Sequence, residues 1–272
     1  MVRWRVFQRW LLVPLLILAW SGAARADEKV DPAVDEVIQC VRRNVPKQSS
    51  ASDARLVSTD PAGGSREFEA RFLAKRMPDG LRRAKICVTA PPDLRGAQVL
   101  AMENLGRLPD SFLYTEELRV PKRITGSGLG AGIFGTDLTF EDFERFMSLN
   151  RVEATRRLPD AAVGGRAAFV LESTPFHPDR SHYSKATSWV DKETCVIVRA
   201  EFYEGQAKPR RVLEADPVEI VTTNGFSYPG ILTVKDLADG SETRVEVTAA
   251  EIDGARVTDR ELEVGELGRY CR

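Results

Sequence analysis

The hydrophobic positions follow a helical period near the start of the chain and a period of two over most of its remaining length. A helix is predicted over 31–44, where apolar residues recur at i, i+3, i+4 and i+7: Val34, Val37, Ile38 and Val41. In REFEARFLAK the apolar positions alternate instead, as in a half-buried strand: Phe68, Ala70, Phe72 and Ala74. A second helix is predicted where four apolar residues share one face: Phe140, Phe143, Phe146 and Met147.

From Val152 onward the pattern predicts strands joined by short polar turns, with a hairpin at Val163-Gly164-Gly165-Arg166. Strands linked by turns of this length build an antiparallel sheet rather than a doubly wound parallel one. No internal repeat or interdomain linker is visible. We therefore predict a mainly β fold in a single domain, residues 27–272: a large curved antiparallel sheet with one or two helices laid on it.

The first 26 residues predict a secretory signal peptide, cleaved after Ala26. Three arginines precede the apolar stretch Leu11 to Trp20, and Ala24-Arg25-Ala26 then offers small residues at the cleavage site. This apolar stretch is too short to predict a permanent membrane anchor. Without the leader, 35 basic residues face 40 acidic ones, a net charge of −5. We therefore expect an exported, soluble monomer with no nucleic-acid partner.

All four cysteines follow the leader, and an even number in an oxidising compartment favours two disulfides over free thiols. Of the three possible connectivities we predict Cys40–Cys87 with Cys195–Cys271, because each pair then lies within one half of the chain.

The stretch Gly130-Ala131-Gly132-Ile133-Phe134-Gly135 matches the dinucleotide-binding pattern G-x-G-x-x-G. That motif requires a helix that begins inside it, within a parallel sheet. Here Thr139 and Asp142 form a capping-box pattern that starts the helix several residues later. We interpret the segment as a glycine-rich loop before a capped helix, and predict no cofactor.

Other candidate chemistry is weak. His177 and His182 fall in a polar, proline-containing segment interpreted as a solvated surface loop, which lacks a third strong metal ligand. Glu141, Asp142 and Glu144 are interpreted as the solvated face of a short helix rather than as a catalytic pair. We therefore predict no metal site, no catalytic residue and no enzymatic activity, while a secreted hydrolase that uses either histidine remains an alternative.

What remains is apolar. A half-open sheet lined by aromatic and other large apolar side chains would present one apolar face, which the glycine-rich loop and second helix could cover as a lid. Sequence periodicity does not distinguish such a cavity from a packed core. The residues predicted to line the cavity or the lid are Phe68, Phe72, Met102, Phe112, Ile133, Phe134, Phe140, Phe143, Trp189 and Phe202.

The segment GIFGTDLTFEDF (132–143) resembles the central signature of the LolA-like superfamily of outer-membrane lipoprotein-sorting proteins. Other segments are similar to that family in the same order: PPDLRGAQVLAMEN, SFLYTEELRVPKRI, SWVDKETCVIVRAEFYEGQAKPRR and YPGILTVKDLADGSETRVEV. The resemblance covers essentially all of the chain after the leader, although the four cysteines are not part of the family pattern.

The resemblance implies a highly curved antiparallel half-barrel with covering helices and an apolar cavity. It implies a periplasmic carrier of lipid or lipidated protein, with an inner-membrane exporter of the resistance-nodulation-division type as a partner. Gly130, Gly132 and Gly135 would then be the hinge of the lid. A periplasmic lipid-sensing regulator that binds a membrane protein is an alternative with the same fold.

Overall fold

Strands joined by short turns dominate the computed structural model, which describes residues 31–105, 108–147 and 153–269. The helices are α1 (Pro32–Arg42) and α2 (Phe140–Met147), and short 3-10 helices span Gly126–Gly130, Ile133–Gly135, Pro178–Arg180, Arg260–Leu262 and Val264–Glu266. The strands are β1 (Ser49–Thr59), β2 (Ser65–Arg76), β3 (Arg82–Ala90), β4 (Gln98–Met102), β5 (Asp110–Tyr114), β6 (Lys122–Ile124), β7 (Glu153–Val163), β8 (Arg166–Pro175), β9 (Lys185–Asp191), β10 (Ile197–Tyr203), β11 (Arg211–Ala215), β12 (Ile220–Thr223), β13 (Phe226–Pro229), β14 (Ile231–Asp236) and β15 (Ser241–Ile252).

Thirteen of these strands form one antiparallel sheet in the order β6-β5-β4-β3-β2-β1-β15-β14-β11-β10-β9-β8-β7, and β12 and β13 pair separately as a hairpin. Strands β6 and β7 are the two edges, so the curved sheet does not close into a barrel. The pairing β1–β15 joins the two ends of the chain in the middle of the sheet. This confirms the predicted fold class, a large curved antiparallel sheet with two helices.

Helix α1 begins and ends close to its predicted bounds. Asp31 caps it, since its carboxylate accepts a 2.9 Å hydrogen bond from the Ala33 amide, and Pro32 occupies the first helical position. The apolar stripe is fully buried at Val34 and Val37, which pack in a cluster with residues of β8 and β9. The helix therefore lies on the part of the sheet that β8, β9 and the start of β10 form.

The disulfide that fixes α1 contradicts both predicted cysteine pairs. Cys40 is bonded to Cys195, 155 residues away, with their Cα atoms 5.3 Å apart. The prediction assumed that each half of the chain folds on itself, whereas α1 crosses to the other half and packs beside the turn between β9 and β10. Cys87 is also disulfide-bonded, and Cys271 lies outside the described residues.

Both faces of the sheet are covered, and neighbouring side chains of strand β2 belong to different faces. Phe68 and Ala70 belong to the cluster beneath residues 126–147, a segment that we call the lid, and Phe72 packs against that cluster. Leu73, the next residue, belongs to a separate cluster with residues 255–267, the C-terminal cover. Because adjacent side chains of a strand point to opposite faces, the lid and the C-terminal cover lie on opposite faces of the sheet.

The lid face continues across the whole sheet. Leu138 and Leu232 contact both the cluster beneath the lid and a second one around Tyr183 and Phe202. Ile197 in turn contacts that second cluster and the one under α1. The described residues from Asp31 to Arg269 belong to one compact unit. None of the helices within the described ranges has both the length and the apolar character that a membrane span requires, and the predicted signal peptide, residues 1–26, lies outside those ranges.

Candidate functional site

The lid begins as a tight loop that folds back on itself before α2. Within it the Ile133 amide donates to the Leu138 carbonyl at 2.8 Å, and the Phe140 amide donates to the Ala131 carbonyl at 3.3 Å. The Thr136 hydroxyl donates to the Ile133 carbonyl at 2.7 Å and closes the turn. The loop is therefore a defined structure with its own hydrogen bonds.

Each glycine of the predicted hinge meets a different local constraint. A Cβ atom on Gly132 would lie 2.1 Å from the Thr136 carbonyl oxygen, and one on Gly130 would lie 2.8 Å from the His182 ring. Gly135 adopts a φ of +80°, a region that favours glycine. Close packing and backbone conformation thus account for these glycines in the closed loop, and their role as a hinge stays a prediction.

The underside of the lid is apolar. Ile133, Phe140 and Phe143 are buried against the sheet, and Phe134 and Leu138 are partly buried beside them. Phe146, which the helical pattern placed on the same face, is instead 45% exposed. The apolar face of α2 is therefore narrower than predicted, and its last aromatic side chain faces solvent.

The residues predicted to line one cavity divide between the two faces of the sheet. Phe68, Phe72 and Phe202 share the lid face with Ile133, Phe134, Phe140 and Phe143. Met102 and Phe112 pack instead in the cluster with the C-terminal cover. Trp189 pairs in register with Arg199, whose guanidinium lies 5.7 Å from the indole centroid, on the face opposite Ala186 and Phe202.

Asp142 fastens α2 to the sheet at the start of the helix. As the capping box predicts, its carboxylate accepts from the Thr139 amide at 2.9 Å, and the Thr139 hydroxyl accepts from the Asp142 amide at 3.0 Å. The second carboxylate oxygen accepts from the buried Tyr183 hydroxyl at 2.8 Å, which in turn accepts from Arg211 of β11 at 3.2 Å. Burial raises the pKa of the Asp142 carboxyl, against the opposing effect of these hydrogen bonds.

Asp137 fastens the loop half of the lid to β15. Its carboxylate accepts hydrogen bonds from the Ser241 hydroxyl at 2.5 Å and the Thr243 hydroxyl at 2.7 Å. Its amide donates back to the Thr243 hydroxyl oxygen at 2.9 Å. The aspartate of the family-like signature GTDLTFEDF thus docks the loop on the central strand of the sheet.

Glu141 and Glu144 complete the attachment, and their burial contradicts the prediction of a solvated acidic face. Glu141 accepts from the Ser181 hydroxyl at 2.5 Å and from the His182 amide at 2.8 Å. Glu144 accepts from the Ser111 hydroxyl of β5 at 2.6 Å. Burial raises the pKa of Glu144 to about 7, and the nearby carboxylates of Glu141 and Asp110 add to the effect.

The physical reason for this error is the position of α2 between two partners. Its apolar side packs on the sheet, and residues 181–183, which lead into β9, cover the side that carries Glu141 and Asp142. A helical pattern shows one apolar stripe but not a second, polar partner. The capping box assigned Asp142 a hydrogen bond at the start of the helix, but it did not predict that any of these acids is buried.

His182 is half-buried against Gly130, which corrects its interpretation as solvated, whereas His177 is exposed. Within the described ranges, no group of three or more histidine, cysteine, aspartate or glutamate residues could hold a metal ion. The acidic residues of the lid accept the hydrogen bonds that attach it to its surroundings.

With this geometry in view, we compared the chain with known proteins. A family model described only as that of an uncharacterized protein matches residues 80–260. The chain belongs to that family. No curated protein matches the chain.

Solved structures share its fold. A DUF1329 family protein from Desulfovibrio piger has a TM-score of 0.79 at 21% identity, over 86% of this chain and 97% of its own. A putative outer membrane lipoprotein-sorting protein domain from Vibrio parahaemolyticus has a TM-score of 0.76 at 18% identity, over 87% of this chain and 100% of its own. A LolA superfamily protein from Nitrosomonas europaea has a TM-score of 0.66 at 15% identity, over 84% of this chain and 96% of its own. The chain therefore has the LolA-like fold that its signature predicted.

Proposed function

We propose that the protein is a non-enzymatic periplasmic carrier that binds acyl or other lipid chains between the lid and the apolar face of the sheet. The observation that carries this proposal is the construction of the lid. Its apolar underside packs on an apolar sheet face, but every hydrogen bond from Asp137, Asp142 and Glu144 to the sheet or to Tyr183 involves a side chain on at least one partner. Such a cover can separate from the sheet without breaking any strand pairing.

The energetics suit a lipid cargo. Displacing the lid would expose Ile133, Phe140 and Phe143 together with the sheet residues beneath them. An acyl chain that lies between these side chains and the sheet removes their apolar surface from water again, at about 0.8 kcal/mol for each buried methylene. A chain of ordinary length can thus offset the loss of the lid contacts, and no charged contact to the cargo is required.

The solved structures support the same class of function at the level of fold. One of them is described as a lipoprotein-sorting domain, and this chain covers all of it. The disulfide between Cys40 and Cys195 is consistent with an exported protein. Transfer of the cargo to or from an inner-membrane exporter of the resistance-nodulation-division type, by a monomer, is part of the proposal.

The test compares two phenylalanines of α2 that differ in burial. Phe143 lies on the underside of the lid and is 9% exposed, whereas Phe146 on the same helix is 45% exposed. Native mass spectrometry of the mature protein purified from its periplasm should show bound lipid. Phe143→Ala should weaken uptake of a fluorescent fatty acid at least about tenfold if an aromatic contact is lost, and Phe146→Ala should leave it within about twofold.

Circular dichroism and thermal unfolding of both variants would establish that each one is folded. A wild-type protein that is reproducibly empty of lipid and does not take up the probe would contradict the carrier function. Equal uptake by the Phe143→Ala and Phe146→Ala variants would instead contradict the site assigned to the cargo.

A further inference from the structure

A cavity of about 410 Å³ opens beside the lid, between α2, β6 and the 3-10 helix Pro178–Arg180. Two of its lining residues, Ile124 and Leu129, also pack against the apolar cluster beneath the lid. These two side chains therefore separate the cavity from the apolar interior by a single apolar wall. Its volume is at the lower end of the range for small-molecule sites, and suits a polar headgroup rather than a whole lipid.

The cavity carries charges of both signs. Three carboxylates line it, Asp110, Glu144 and Asp179, together with two guanidinium groups, Arg123 and Arg180. Arg123 pairs with Asp110 at the rim, whereas Glu144 is buried and accepts a hydrogen bond from the neutral Ser111 hydroxyl. A buried carboxylate without a cation in hydrogen-bond contact is stabilised strongly by an ammonium group that reaches it.

Within the described residues, the lining contains no aromatic side chain. Quaternary ammonium groups are usually held in aromatic cages, which this cavity does not offer, whereas a primary ammonium can donate hydrogen bonds to carboxylates. A purely anionic headgroup would face three carboxylates, and like charges in a partly buried site repel. Arg180, exposed at the rim, is placed to bind a phosphate.

We propose that this cavity binds a phosphate-linked primary amine, the headgroup of an aminophospholipid of the phosphoethanolamine type, while its chains enter beneath the lid. This inference rests on the proposed carrier function and names its substrate class. In the complex, Glu144 and Asp179 accept from the ammonium group, and Arg180 and Arg123 donate to the phosphate.

The test measures calorimetric binding of three dihexanoyl phospholipids that share their chains: phosphatidylethanolamine, phosphatidylcholine and phosphatidylglycerol. Phosphatidylethanolamine should bind at least about tenfold more tightly than the other two, the value of one charge-assisted hydrogen bond. Glu144→Gln and Arg180→Gln should each reduce this preference to about twofold or less. Arg66→Gln, an exposed arginine that pairs with Asp93 outside the cavity, should leave it unchanged.

Glycerophosphoethanolamine, which has no chains, separates this inference from the carrier function. It should shift the amide resonances of Gly126 and Arg180 in an NMR titration, and glycerophosphocholine should not. Equal binding of all three lipids, with no shift by glycerophosphoethanolamine, would overturn the headgroup site while the carrier function stands. Shifts by glycerophosphoethanolamine without uptake of any lipid chain would support the headgroup site and overturn the carrier function.

Discussion

The two covers of the sheet both bury apolar side chains but are attached by different chemistry. Beneath the lid, buried carboxylates of the cover accept hydrogen bonds from hydroxyl groups of the sheet and of the segment before β9, as at Asp137, Asp142 and Glu144. On the opposite face the acceptor groups are of a different kind. There the C-terminal cover contributes backbone carbonyls, and the sheet donates from Ser49, Lys75 and Arg83.

This difference gives the lid a carboxyl group that titrates near neutral pH. Backbone carbonyls accept hydrogen bonds without titrating. The buried carboxylates of the lid instead lose hydration when it closes, and burial raises the pKa of Glu144 to about 7. We therefore expect the C-terminal cover to be a permanent part of the fold and the lid to be its adjustable part.

The largest expected effect is on the permanent cover. Leu262 is 0% exposed in the cluster with Leu73 and Leu100. Leu262→Ala should lower the free energy of unfolding by about 2–5 kcal/mol, because truncating a buried leucine loses apolar contacts and leaves a cavity. Urea unfolding measures this, and Leu237→Ala, at a leucine 52% exposed, should change it by less than about 0.5 kcal/mol. Comparable losses in both variants would show that the C-terminal cover is not part of the core.

An intermediate effect is expected when the lid loses its cap. Asp142→Ala removes the bonds to the Thr139 amide and the Tyr183 hydroxyl, and should destabilise the closed lid by about 1–3 kcal/mol. Hydrogen exchange of the Phe140 and Phe143 amides should accelerate accordingly, while the amides of β1 keep their protection.

Lys75→Met is the matched control for that experiment, because it removes a bond from the sheet to the opposite cover at Val257. It should leave the exchange of the lid amides unchanged. If it accelerated them as much as Asp142→Ala does, the two covers would be coupled through the sheet, and the contrast between them would be wrong.

Sequence patterns predicted what depends on neighbours in the chain. The period of two at Phe68 and Ala70 identified strand β2, and Thr139 with Asp142 located the start of α2. Both features arise from local geometry, in which successive residues of a strand alternate and a cap bonds within one turn. For the same reason the family-like signature was a sound guide to the fold.

Features that depend on distant segments were not predictable in this way. Which face Met102 and Trp189 occupy depends on strand register, and a shift of one residue turns every side chain to the other face. The bond between Cys40 and Cys195 depends on where α1 packs. The burial of Glu144 depends on Ser111, 33 residues away, whose hydroxyl satisfies the carboxylate. Buried polar contacts of this kind leave no periodic trace in a sequence.

The smallest expected effect, and the one that sharpens the contrast most, is the pH dependence of the lid. The pKa of Glu144 is raised in the closed state from the ordinary value of 4.5 to about 7. Because the closed lid favours the protonated form of Glu144, the closed lid is most stable below pH 4.5. Its stability falls as the pH rises from 4.5 to about 7, where the carboxyl group ionises. Glu144→Gln stays neutral, so its thermal midpoint should match that of the wild type at pH 4.5 and exceed it by a few degrees at pH 8.

The control is Glu266→Gln, which removes a carboxylate that pairs with Arg260 within the opposite cover, and it should show no such gain at pH 8. A gain of equal size in both variants would mean that the pH response comes from net charge rather than from the lid.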